Sequence, residues 1–161
     1  MKNSHTDMYI FLDIDGVFIK EDKLGEQTSL DEDVPTIDAA CVEHFADIVT
    51  QYEQVKIVIS SSWQEAFDLS IIKSRFPDSV SCKIEGVTPI LTEPAEFFRH
   101  QEVLDYLAMT QATDQPWVAI DDIAEHYPPD VPIVVTNPYE GFDRIAALRL
   151  HNFLKAASTK N

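Results

Sequence analysis

The chain has 161 residues, 45% of them hydrophobic and 10% aromatic, which fits one domain with a sizeable core. Twenty-eight acidic side chains face 12 basic ones, for a net charge of −16. No basic run interrupts them, which argues against extended nucleic acid as a partner, because such binding needs lysine and arginine at the phosphates.

No stretch approaches the ~20 apolar residues of a membrane span. The N-terminus carries no uninterrupted apolar leader segment, so a cytoplasmic protein that touches no membrane is expected. In that setting Cys41 and Cys82 read as reduced core thiols rather than a disulfide.

Residues 8–13 form the first expected strand: short, apolar and rich in β-formers. Residues 19–36 are polar and carry Gly25 and Pro35, which predicts one long loop with a small hairpin at most. A helix is expected from Thr36, as its N-cap, to Glu53, with Ile37, Cys41, Phe45, Ile48, Val49 and Tyr52 on one face. "VKIVIS", 55–60, reads as a second buried strand, completing a strand–helix–strand unit with parallel strands. A second helix is predicted over 62–76, ending before Pro77, and a short strand near 82–84.

The third helix, 96–110, should face inward through Phe97, Val103, Leu104, Leu107 and Ala108. "WVAI", 117–120, and "VPIVVT", 131–136, are further strands, and a closing helix spans 141–157. Strands alternating with helices over about 8–157 predict a single α/β domain, a Rossmann-like parallel sheet flanked by helices in three layers.

In such folds ligands sit outside the carboxyl ends of the parallel strands. The first expected strand ends at Asp13 and Asp15, the second at Ser60, Ser61 and Ser62, the third at Asp121 and Asp122. Four carboxylates gathered at one edge would raise one another's pKa values unless a cation binds among them. Hard oxygen donors of this kind suit Mg²⁺ with a substrate phosphate.

"DIDG" does not fit a calcium-binding EF-hand loop, since placing Gly16 at the sixth position puts Phe11 at the first. A nucleotide-sugar transferase would leave the serines and the later Asp-Asp pair unexplained. The five histidines, His126 among them, show no metal-site spacing and read as surface or helix residues. Trp63, Trp117 and Phe97 read as core, and "SLDEDVP", 29–35, as a solvated acidic loop.

With "FLDIDGV", "IVISSSW", a basic residue on a later helix, and "WVAIDD", residues 8–140 resemble the haloacid dehalogenase-like (HAD) hydrolases. "SSSWQ", "GVTP", "RHQEVLDYL" and "TNPYEGF" are similar to a small-HAD group of bacteria and viruses, some members of which accompany RNA-repair enzymes. The resemblance implies that Asp13 is the nucleophile forming an aspartyl-phosphate, and that Asp15 protonates the leaving alcohol and then activates water. Side chains two apart on an extended chain point the same way, ~6.5 Å apart, so the two carboxylates can take separate roles.

Gly16, Ser61, Ser62 and Arg99 would contact the phosphate, with Ser61 or Ser60 holding a phosphoryl oxygen. Arg99 stands where the family usually has lysine, and Lys83 is the alternative. The implied metal set is Asp13, Asp15 through its carbonyl, and Asp122 with Asp121. The spacing between motifs leaves no room for a sizeable cap. A Mg²⁺-dependent phosphatase is therefore expected, with a phosphorylated substrate. A nucleic-acid-end phosphatase and a non-catalytic HAD-like interaction module are the alternatives.

Overall fold

The computed structural model describes residues 6–23 and 35–159. Its centre is a five-stranded, all-parallel sheet built from β1 (Met8–Leu12), β2 (Val55–Ile59), β3 (Ile84–Val87), β4 (Trp117–Asp121) and β5 (Ile133–Val135). The spatial order is β3-β2-β1-β4-β5. The chain thus leaves β1 in one direction and later returns to its other side, and β1/β4 is the switch point at which such sheets bind ligands. Leu12 sits opposite both Ile59 and Ile120.

β1 is buried along its whole length because both faces of the sheet are covered. Met8, Ile10 and Leu12 point into a core shared with α1 (Ala39–Val49) and α6 (Arg144–Ser158). Tyr9 and Phe11 point to the opposite face, against α5 (Phe98–Met109). The result is the expected three-layer α/β arrangement. Among the described residues, no helix is long and apolar enough to cross a membrane, and those between β1 and α1 form no helix or strand longer than the 3₁₀ turn Glu21–Lys23.

Several boundaries differ from the sequence expectation for local reasons. α1 begins at Ala39, capped by Asp38 rather than Thr36: the Asp38 carboxylate accepts the Cys41 N–H at 2.9 Å. It ends at Val49 rather than Glu53. The single helix predicted over 62–76 is broken into α2 (Trp63–Ala66) and α3 (Leu69–Ser74), with Phe67 and Asp68 extended between them. The Phe67 ring packs 5.2 Å from that of Trp63. A further short helix, α4 (Asp78–Ser81), follows Pro77, and β3 starts only at Ile84. Cys41 is buried but Cys82 is exposed, so only the first is a core thiol, and both are free.

α5 is rotated from the expected stripe. Val103, Tyr106, Leu107 and Glu102 face inward, whereas Leu104 and Ala108 are exposed. Tyr106 takes the inward place because its ring meets the Phe11 ring edge-on at 5.8 Å. α6 starts at Arg144, since Asp143 caps it through the Ala146 N–H. The acidic loop 29–35 lies, apart from Pro35, outside the described residues. So does most of the hairpin region, whose described end is a 3₁₀ turn, Glu21–Lys23.

Candidate active site

Hydrogen bonds carry the sheet one residue beyond its strands and deliver polar residues to one edge. Asp13 N donates to Ile120 O at 3.0 Å, Ser60 N to Leu12 O at 2.9 Å, and Thr136 N to Asp121 O at 3.0 Å. Past Asp13 the chain coils at once. The N–H groups of Val17, Phe18 and Ile19 all donate to Ile14 O, and Gly16 N donates back to Ile19 O. Gly16 has φ +77°, and a Cβ there would lie 2.3 Å from Asp122 Cγ, so a glycine is required at this turn. The Thr136 hydroxyl donates to Gly16 O at 2.8 Å and fixes the turn against β5.

The turn brings three carboxylates together. Asp13, Asp121 and Asp122 each offer an oxygen within 4.8 Å of the others. Local N–H groups occupy one oxygen on two of them: Ile14 N donates to Asp13 Oδ1 at 2.8 Å and Ile123 N to Asp121 Oδ1 at 3.0 Å. The buried Asp121 Oδ2 has no hydrogen-bond partner among the described residues. Burial, reinforced by the Asp121 charge, pushes the Asp13 carboxyl well above the ordinary range. Burial likewise raises Asp121, and burial followed by the Asp121 charge raises Asp122 to about 6. Acids held together at such an electrostatic cost, one with an orphaned oxygen, fit a hard divalent cation.

A cavity of about 250 Å³ is lined by Asp13, Asp15, Gly16, Ser62, Arg99 and Asp122, together with Glu21, Ile123 and His126. Asp15 is held by the Trp63 indole N–H, which donates to its Oδ1 at 3.1 Å. Arg99 is anchored by Glu102, Nη1 to Oε1 at 3.0 Å, with only 14% and 4% of the two side chains exposed. Its positive charge opposes the rise at Asp13.

Most residues named from the sequence therefore meet here. Ser61 is fully buried, its Oγ accepting the Trp63 N–H at 3.2 Å, and it lines an adjoining cleft rather than this cavity. Ser60 is buried in the sheet edge and lines neither. Lys83 precedes β3 at the far edge of the sheet, where its ammonium donates to Tyr52 O at 2.9 Å, so of the two it is Arg99 that lines the cavity.

Among the described residues, four take roles at the site that the sequence reading did not give them, and Glu21 and Ile123 also line the cavity. His126, taken there as a surface or helix residue, lies in a 3₁₀ turn on the cavity wall, its Nδ1 3.7 Å from Asp121 Oδ2. Trp63 is core, as expected, but also holds Asp15. Glu102 anchors Arg99, and Thr136 anchors Gly16. Thr136 had a signal available, since "VPIVVT" ends on a polar residue as the other strands do. No signal in the local pattern marks His126.

Neither the curated proteins nor the solved structures compared with the chain include a match. A family model does match, over residues 9–147, and its description is the HAD domain in Swiss Army Knife RNA repair proteins. With this match across most of its length, its parallel sheet and its acidic strand ends, the chain belongs to that HAD family.

Proposed function

We propose that the chain is a Mg²⁺-dependent phosphohydrolase that works through an aspartyl-phosphate on a phosphomonoester. The observation that carries this reading is the placement of Asp13 and Asp15 in one cavity wall with Arg99, beside the three-carboxylate cluster. Asp13 Oδ1 is engaged by the Ile14 N–H, which leaves Oδ2 to attack phosphorus. As that O–P bond forms, the bond from phosphorus to the leaving oxygen breaks, and Asp15 donates its proton to that oxygen. In the second half Asp15 takes a proton from water, the water oxygen attacks phosphorus, and inorganic phosphate leaves with Asp13 restored as carboxylate.

The Trp63 N–H fixes Asp15 Oδ1, so its Oδ2 moves the proton. Arg99, pinned by Glu102, faces the phosphate oxygens and offsets the negative charge of the acids around them. A bound Mg²⁺, held by Asp13, Asp121 and Asp122, would supply the charge that lets a phosphate dianion enter an acidic site.

The test is phosphate release from p-nitrophenyl phosphate with Mg²⁺. Wild type should turn over, while Asp13→Asn and Asp15→Asn should each lose at least about a hundredfold. Activity that survives in Asp13→Asn, or in excess chelator, refutes the mechanism. A second reading, removal of a terminal phosphate from RNA, is favoured by the family's description in RNA repair proteins.

A further inference from the structure

Beside the carboxylate cavity lies a second cleft of about 440 Å³, and Arg99 belongs to the walls of both. The phosphoryl-transfer steps leave this cleft without a role. Its volume falls within the roughly 300–1,000 Å³ of small-molecule sites. One wall is the segment 90–95 between β3 and α5, and Ser61, α2 and α5 supply the rest. The cleft is braced: the Gln64 amide donates to Thr88 O at 2.7 Å, and Thr88 N donates to Ile59 O at 2.9 Å. Ile90 and Phe98 present apolar surface to it while remaining partly open to solvent.

Charge sets its selectivity. Among the described residues, the lining holds three glutamates, Glu65, Glu93 and Glu102, against Arg99 as its single cation. Arg99 is paired with Glu102, so among the described lining residues Glu65 and Glu93 leave the cleft a net negative field. Because Arg99 lines both cavities, a phosphate held against it in the smaller one has the cleft open to its substituent.

We propose that this cleft receives the leaving group, and that it selects phosphomonoesters whose leaving group is one uncharged unit of about aryl or nucleoside size. Substrates carrying a further phosphate are disfavoured by Glu65 and Glu93, and a phosphorylated oligonucleotide is disfavoured for the same reason. The proposal rests on the phosphohydrolase reading and names the substrate class for it.

The test compares adenosine 5′-monophosphate with adenosine 3′,5′-bisphosphate, which differ by one phosphate. For wild type, kcat/KM should favour the monophosphate by about tenfold or more. In the Glu65→Gln/Glu93→Gln double variant that preference should narrow by at least about threefold. Both positions are exposed, and a thermal melt verifies that the variant folds. Equal or faster turnover of the bisphosphate by wild type overturns the proposal, as does an unmoved ratio in the folded double variant.

A second arm titrates the same two nucleotides calorimetrically into Asp13→Asn protein with Mg²⁺, with and without the two glutamine substitutions. Discrimination there without hydrolysis by wild type sinks the phosphohydrolase reading and sustains the cleft. Hydrolysis without discrimination does the reverse. Failure of both nucleotides to bind at millimolar concentration overturns the cleft assignment.

Discussion

Replacing Gly16 with alanine tests whether the turn after β1 exists to seat Asp122. An added Cβ would lie 2.3 Å from Asp122 Cγ and Oδ2 and 2.8 Å from its Cβ. Carbon atoms pack at about 3.5–4.0 Å, so the Asp122 side chain must retreat by about 1 Å. The backbone cannot rotate away, because Gly16 O is held by the Thr136 hydroxyl and Gly16 N by Ile19 O. Alanine at φ +77° adds about 1–2 kcal/mol of backbone strain. For a domain of this size 1 kcal/mol corresponds to about 2–4 °C, so Tm should fall by roughly 2–8 °C and the protein should remain folded.

Function should suffer more than stability. A displacement of about 1 Å at a reacting centre costs on the order of a hundredfold in rate. The assay pairs thermal melts in chelator and in millimolar Mg²⁺ with p-nitrophenyl phosphate turnover. Wild type should gain Tm with Mg²⁺, because the ion binds only the folded cluster, and Gly16→Ala should lose most of that gain. A folded Gly16→Ala protein with wild-type kcat/KM and an unchanged Mg²⁺-dependent rise in Tm would refute the reasoning.

Asp13, Asp121 and Asp122 are all raised, Asp122 to about 6. Folding therefore favours their protonated forms, and that contribution is complete below the unfolded carboxylate pKa of about 4 and is lost as pH rises through the folded values. In chelator, Tm should fall between about pH 5 and 8, and Mg²⁺ should flatten the slope; a rising curve in chelator contradicts the clustered-acid account. Arg99→Ala strands the buried Glu102 carboxylate, and urea unfolding should register a loss of roughly 2–4 kcal/mol. Replacing both partners with apolar residues should recover much of that stability but none of the activity; recovery of turnover would remove Arg99 from the site. Phe18 packs within 5.4 Å of the rings of Phe45 and Phe76 directly under the site turn, so Phe18→Ala should cost about 3–5 kcal/mol in urea, and a loss under about 1 kcal/mol would show that the cluster does not support the turn.

Local pattern carried the reading furthest where burial is complete. β1 is buried throughout, and β2, β4 and β5 are largely apolar, because strands covered on both faces must be so, and their polar ends then stand out against them. It did worst where a neighbour chooses the conformation. The rotation of α5 follows from Tyr106 meeting Phe11. Phe11 lies on β1, outside the periodicity of that helix. His126 shows the same limit: it reaches the cavity through a 3₁₀ turn that no hydrophobic repeat announces.

The sequence by itself determined the alternating α/β class, the acidic pairs at 13/15 and 121/122, the glycine between them and the turn, and the chemistry those residues suit. The tertiary structure alone decided that the pairs meet. Parallel strands join through long crossovers, and nothing in a local pattern says which side of β1 a later strand will take. The order β3-β2-β1-β4-β5 places β4 against β1, so Asp121 and Asp122 come within 4.8 Å of Asp13, and Gly16 leaves the space that Asp122 fills.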